Sequence, residues 1–205
     1  IWSIFRFLRM SRIAYVNGRY IPHAQAMIHV EDRGYQFADG VYEVIALHKG
    51  QFLGEKGHME RLEYSLNELS ITAPMARRPM MSILREVVRQ NRVRHGLVYL
   101  QITRGVAPRD HPFPEKCVSS MVVTAVKRAP INKGQLLTGI SVISTPDIRW
   151  KRRDIKSISL LPNVLGKQKA IELGAQEAWL IDEGGYVTEG TATNAWIITN
   201  DGELI

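Results

Sequence analysis

A two-domain α/β architecture is the fold class that this 205-residue chain predicts. Three observations lead to it. Strand patterns closed by tight-turn dipeptides come first, two amphipathic helical stretches follow, and beyond a loop-rich interval strand, helix and strand alternate again.

In "RIAYVNGRYIP" the dipeptide Asn17-Gly18 suits a type I′ turn, so the residues on either side are expected to pair as a hairpin. "VYEVIALHKGQFL" is a second hairpin, turning at Lys49-Gly50. From Glu55 to Leu69 the apolar residues Met59, Leu62, Leu66 and Leu69 recur at helical spacing, and Pro79 opens another helix carrying Ile83, Leu84, Val87 and Val88. "GLVYLQITRG" and "SSMVVTAVKR" return to strand. Loop residues in "RAPINKGQ", Arg128 to Gln135, set the domain boundary near 130, with a smaller domain over 10–130 and a larger one from 131 to 205. The second domain is expected to run through the strand "GISVIST", a helix from about Asn163 to Leu173 stopped by Gly174, the strand "EAWLID", a turn at Gly184-Gly185 and the strand "NAWIIT". Only three residues follow the hairpin dipeptide Asp201-Gly202, fewer than the five or so of an ordinary strand, so this domain is expected to be truncated.

Composition excludes several classes. A hydrophobic share of 45% and a charged share of 23% are those of globular proteins, and no apolar run approaches the roughly 18 residues of a membrane-spanning helix. The net charge of +7 is dispersed, and the densest basic run, "RWKRRDIK", is broken by Trp150, Asp154 and Ile155, so neither a nucleic-acid arm nor a membrane partner is expected. The lone Cys117 has no intrachain disulfide partner, no metal cluster is visible, and a reducing cytoplasmic location is expected. The opening "IWSIFRFLRM" lacks the layout of a signal peptide; residues 1–9 read as an upstream extension before Met10.

In "RRDIKSISLLPNVLGKQKA" Lys156 stands between Ile155 and the apolar Ile158, Leu160 and Leu161, where an unpaired ammonium would be costly to bury. Within that window alone it could simply lie on the polar side of an alternating strand. Arg61 alone reads as a helix-surface arginine paired with Glu60, Glu63 or Glu68, Glu189 as a turn acid before Gly190, and Arg109 and His111 as residues of an exposed, proline-stiffened loop.

Five blocks in order carry more than any one of them: "EDRGYQFADGVYEV", "HMERL", "TRGVAPRDHPFP", "DIKSISLLPNVLGKQKA" and "VTEGTATNAW". This series resembles the fold-type IV pyridoxal-phosphate aminotransferases, and within them the D-amino acid transaminases, over essentially all of Met10 to Ile205. The resemblance implies that Lys156 is the catalytic lysine that forms the Schiff base with pyridoxal 5'-phosphate, and afterwards moves the substrate's α-proton. It further implies that Arg61 binds the phosphate and Glu189 pairs with the pyridine nitrogen. Tyr42, Arg109 and His111 would receive the substrate α-carboxylate, the last two reaching the site of a neighbouring subunit in a homodimer. Lys167 and Lys169 fall on the helix and do not match the family position. "EGTATN" departs from the pattern in placing Ala192 where a serine is frequent, and the family's continuation past Ile205 supplies the rest of the phosphate cup.

The expected reaction is amino transfer from a D-amino acid to a 2-oxo acid, for example D-alanine and 2-oxoglutarate giving pyruvate and D-glutamate. An aminodeoxychorismate-lyase-like elimination or an R-selective amine transamination on the same fold is the alternative, as is an inactive truncated fragment.

Overall fold

The computed structural model describes residues 12–129 and 133–205; the upstream extension expected over 1–9 lies outside the described residues. Two compact units divide them. One holds the residues up to 129 together with Asp154–Ile158, and the other holds those from 133 to 153 together with Ser159–Ile205.

In the first unit, β1 (Ile13–Val16) and β2 (Arg19–Pro22) form the expected hairpin, with Asn17 and Gly18 both at positive φ in its turn. A 3-10 turn at His23–Gln25 and the short helix α1 (Arg33–Phe37) follow; Asp32 caps α1 by accepting the Gly34 N–H at 2.8 Å. Next come β3 (Gly40–His48), β4 (Gln51–Phe52), α2 (Glu55–Glu68), α3 (Arg77–Gln90), β5 (Gly96–Thr103) and β6 (Ser120–Lys127). The six strands make one antiparallel sheet in the order β2-β1-β6-β5-β3-β4.

Strand period and helix period meet across this sheet. Val41, Ile45 and Leu47 of β3, Val98, Leu100 and Ile102 of β5, and Met121, Val123 and Ala125 of β6 share one buried face. They pack with Met59, Leu62 and Leu66 of α2 and with Met80, Met81, Leu84, Val87 and Val88 of α3 in a single cluster. The helix expected from Pro79 begins two residues earlier, so Pro79 sits in its first turn, where a missing N–H costs nothing.

The segment Asp154–Ile158 belongs to this unit because it adds to the sheet. Tyr42 N–H donates to the Lys156 carbonyl at 3.0 Å, Ile158 N–H donates to the Gly40 carbonyl at 3.1 Å, and Val41 bridges Ser157 in antiparallel register. It runs beside the half of β3 that the two-residue β4, paired with Leu47 and His48, does not reach.

The second unit contains α4 (Lys133–Thr138), β7 (Val142–Pro146), α5 (Leu161–Glu172), β8 (Glu177–Ile181) and β9 (Val187–Gly190). Its sheet runs β7-β8-β9, with β7 and β8 parallel across the α5 crossover and β8 and β9 antiparallel. α5 has Pro162 in its first turn, and Gly174 (φ 73°) ends it as a Schellman motif: Gly174 N–H donates to Ile171 O and Ala175 N–H to Ala170 O. The core here is small, with Ala170, Ala175 and Ala178 packed against Ile143.

Two expectations fail. Part of "RAPINKGQ" is helical, because α4 begins at Lys133. "NAWIIT" is no strand: Ile198 makes an isolated bridge to Leu204, and Trp196, Ile197 and Ile198 are exposed. The turn at Asp201-Gly202 does form, with Gly202 at φ 82° and paired hydrogen bonds between Ile197 and Ile205.

Candidate active site

In the first unit the sheet presents two adjacent residues of β3 to opposite faces. Tyr42 points away from the helices and stacks on Tyr99 of β5, with ring centroids 5.8 Å apart. Lys156 Nζ lies 4.6 Å from the centroid of the Tyr42 ring, so the backbone pairing of β3 with residues 156–158 places the ammonium on a phenol face. Burial, and then the neighbouring Tyr42, push the Tyr99 hydroxyl up to about 12, and that hydroxyl donates to Gln101 Oε1 at 2.6 Å.

Glu43 points the other way, into the core, and its side chain is fully buried. Arg61 of α2 meets it side-on: Nε donates to Oε1 at 2.6 Å and Nη2 to Oε2 at 2.7 Å. His58, one turn earlier, has Nδ1 2.7 Å from Oε2. A carboxylate only accepts, so Nδ1 carries the proton, and its 3.3 Å approach to Arg61 Nη2 is a contact between two donors. Thus Arg61 pairs with the strand acid Glu43, while Glu63 pairs with Arg77. The same helix holds the lysine segment, since buried Ser65 Oγ accepts the Lys156 N–H at 3.1 Å and Tyr64 donates its hydroxyl to Asp154 Oδ2 at 2.7 Å.

Arg109 and His111 meet at Phe37 of α1, with the Arg109 guanidinium 5.1 Å and the His111 ring 5.5 Å from the Phe37 centroid. Their loop hangs on buried Arg33, which donates to the Asp110 carbonyl at 2.6 Å and the His111 carbonyl at 3.2 Å. Arg33 and Arg104 both clamp Asp39. Burial pushes the Asp39 carboxyl up, but hydrogen bonds from Arg104 and Arg33 outweigh it and hold it below the ordinary carboxylate range. None of Arg33, Asp39 and Arg104 was singled out in the sequence, although "DRGYQFAD" holds two of them.

In the second unit Glu189 of β9 is 37% exposed along its side chain and forms a short contact with Arg149 Nη1. Arg149 is itself tied down by Asp147, with Nε 2.9 Å from Oδ1 and Nη2 2.7 Å from Oδ2, while Thr188 donates to the same Oδ2 at 2.7 Å. Those hydrogen bonds from Arg149 hold the Asp147 carboxyl far below its usual range, against the opposing effect of burial. The pairing with Asp147 in turn raises the Arg149 guanidinium above its ordinary value. Asp147 and Arg149 were missed by the sequence reading. Their "DIR" spacing carries no motif, and the network becomes visible only once β7 and β9 flank β8. Lys167 serves α5 locally, contacting the Gln176 carbonyl and lying 3.5 Å from Glu177 Oε2.

Comparison with known proteins gives this mixed α/β fold a family. The family model for class IV amino-transferases matches residues 40–205, and the chain belongs to that family. It is 42% identical over 191 residues to the D-alanine aminotransferase of Listeria innocua, covering 92% of this chain and 65% of that relative. The D-alanine aminotransferase of Staphylococcus epidermidis is 37% identical over 184 residues, covering 90% of this chain and 65% of its own length. The chain thus spans about two thirds, at 65%, of the curated relatives it matches. Among solved structures, the branched-chain amino acid aminotransferase from Escherichia coli superposes with a TM-score of 0.81 at 20% identity, covering 95% of this chain and 65% of that one. That likeness establishes the fold-type IV architecture.

Proposed function

We propose that the chain acts in pyridoxal 5'-phosphate-dependent amino transfer between D-amino acids and 2-oxo acids, with D-alanine and 2-oxoglutarate as a working pair. The observation that carries this reading is the placement of Lys156, whose backbone is laddered to β3 and whose amine rests on Tyr42. The residues suit such a cofactor. Arg61 has a guanidinium plane set by Glu43 and keeps 45% of its side chain exposed for a phosphate, and Glu189 offers a partly exposed carboxylate for a ring N–H. When bound, the cofactor supplies an aldehyde for an amine and an electron-withdrawing ring for the charge left by a departing α-proton.

The chain's own groups do the rest. Lys156 Nζ anchors the cofactor and carries the proton to and from the substrate α-carbon. Glu189 keeps a proton on the pyridine nitrogen. The Tyr42 hydroxyl and the Arg109 and His111 side chains donate hydrogen bonds to the α-carboxylate, a role that for the latter two implies a homodimer with a shared site. The division into a domain over 10–130 and one from 131 onward is retained as part of this reading.

The test is the visible spectrum of the protein mixed with pyridoxal 5'-phosphate, recorded before and after D-alanine and, separately, L-alanine. A band that bleaches with D-alanine only supports the reading. A band that responds equally to a simple chiral amine favours amine transamination, and absence of any band rejects cofactor binding.

A further inference from the structure

We propose that one end of the first unit's sheet, where His48, His95 and Arg128 line up across three adjacent strands, is a binding site for a short chain of linked phosphates. The site lies on the same sheet as Tyr42 but about 20 Å further along β3, six residues at about 3.3 Å each. It does not depend on the amino-transfer reading.

In the sequence these residues are scattered over three segments, and the strand register gathers them. β6, β5 and β3 are neighbours in the sheet, and their last common row pairs Leu47 with Gly96 and Gly96 with Lys127. One step further, His48, His95 and Arg128 form the next row. The two imidazoles lie edge to face with centroids 5.1 Å apart, and the Arg128 N–H donates to the His95 carbonyl at 3.1 Å. Side chains alternate along each strand, so the row falls on the face of Tyr42 and Tyr99, opposite the face that packs on α2 and α3. The turn between β3 and β4 is tied to the same end, since the Gly50 N–H donates to the Arg94 carbonyl at 2.8 Å. Lys49 and Arg94 thereby add two exposed cations beside the row.

Residues 48–50, 94–96 and 126–129 hold no acid. Glu55 and Glu86, near them in the chain, pair with Arg85 and Arg89, and Glu43 is buried on the opposite face. Among the described residues, Lys49, Arg94 and Arg128 have no carboxylate partner. Paired histidines could hold a divalent cation, but fixed positive charges around them repel one and attract an anion. Guanidinium and imidazole N–H groups both donate to phosphate oxygens. A row three strands wide, at about 4.8 Å between strands, spans roughly 10 Å, so several phosphates in line meet more of it than one phosphate does. The carboxylates of an extended acidic peptide alternate sides and bring less charge to the row. Because the three segments are bonded to one another, little of the backbone is left to order when a ligand arrives.

The experiment titrates inorganic tripolyphosphate into the complete protein, loaded with pyridoxal 5'-phosphate and freed of excess, with binding read by calorimetry. One tripolyphosphate per chain is expected, and orthophosphate and hexaglutamate should each bind about tenfold more weakly or worse. Arg128→Gln should weaken tripolyphosphate binding about tenfold, and so should His48→Gln combined with His95→Gln, which leaves the fixed charges in place. Arg19→Gln removes the same charge beside the Asn17-Gly18 turn, at the opposite end of the sheet, and should stay within about twofold of wild type. Unchanged urea midpoints in these variants separate loss of the site from loss of the fold. Equal losses from Arg19→Gln and Arg128→Gln would mean diffuse charge attraction, and histidine variants that bind like wild type would mean that the row is not the site. Hexaglutamate binding as tightly as tripolyphosphate would mean a surface for acidic peptides, and no binding to the loaded protein would mean that phosphates enter only the cofactor's site. Each of these four results overturns the proposal.

Discussion

Replacing Arg61 by methionine in the cofactor-free protein is expected to cost about 2–3 kcal/mol of folding stability, and the source of the loss is Glu43. Removing one partner of a fully buried ion pair typically costs about 3–5 kcal/mol, because the remaining charge stays in the core uncompensated. Glu43 is completely buried, which argues for that range. Arg61 is 45% exposed and His58 keeps its 2.7 Å hydrogen bond, so water and imidazole recover part of the loss. Urea denaturation followed by circular dichroism gives the number, provided the slope of the transition is unchanged. Adding Glu43→Gln to Arg61→Met should restore about 1 kcal/mol or more, since a neutral amide does not demand a counter-charge and coupled neighbours are non-additive. An Arg61→Met protein within about 0.5 kcal/mol of wild type, the range of ordinary surface substitutions, would refute the argument that Glu43 depends on this arginine.

Other outcomes follow from the same structure. If Lys156 has the proposed role, Lys156→Ala should lower D-alanine turnover by on the order of a thousandfold or more, because both the proposed anchor and the proposed proton carrier are lost, while the urea midpoint stays near that of wild type. Asp147 is held below its ordinary value by Arg149, so its contribution to stability is fully present above about pH 3.9, the unfolded value, and is lost as pH falls through the lower folded value. Asp147→Asn should therefore flatten the acid limb of a urea-midpoint profile recorded below pH 5, and lower the midpoint at neutral pH. Gly105 sits at φ 106°, and a β-carbon there would lie 1.9 Å from the Val118 carbonyl oxygen. Gly105→Ala is expected to destabilise by about 2–4 kcal/mol in the same titration. Ser70 is exposed and stands at φ 51° in the cap of α2, so Ser70→Gly should raise stability by about 0.5–1 kcal/mol.

How far the fold could be read from sequence depended on whether local chemistry or a distant partner decided each element. Asn17-Gly18, Lys49-Gly50 and Gly174 were legible because positive φ is cheap for glycine and tolerable for asparagine. The ends of α2 and α3 carry the same Schellman bonds as α5, Ile71 N–H to Leu66 O and Val93 N–H to Val88 O, but with Ser70 and Arg92 in the left-handed position. There the buried Ile71 and Val93 drive the turn, and the residue at the bend gives no signal. The helix α1 was missed since five residues show no period, and it is fixed by Asp32 and by the Arg33–Asp39 pair. Lys156 and Arg61 stand out as candidates only through the blocks that hold them. Glu43 was legible in principle, as an acid on the apolar phase of a strand with His58 and Arg61 at helical spacing below it, but its burial depends on the register of β3.

That register is what joins the two halves of the first unit's chemistry. Side chains alternate along a strand, so neighbours such as Tyr42 and Glu43 must face opposite ways, and a slip by one residue would exchange them. The exchange would put a phenol against His58 and Arg61, and would leave a carboxylate beside Lys156 where the ring now lies. Eight consecutive pairs with β5, from Gly40↔Thr103 to Leu47↔Gly96, oppose the slip. So does Gly40, where a β-carbon would come within 2.7 Å of the Ile102 carbonyl oxygen. The α2 residues Arg61 and Ser65, one turn apart, then bind opposite ends of the arrangement: one takes the Glu43 carboxylate and the other the Lys156 backbone. A single helix thus sets the Arg61 guanidinium and the Lys156 segment against the same strand. The placement of both groups therefore depends on a core carboxylate and a buried serine, Glu43 for the guanidinium and Ser65 for the lysine backbone.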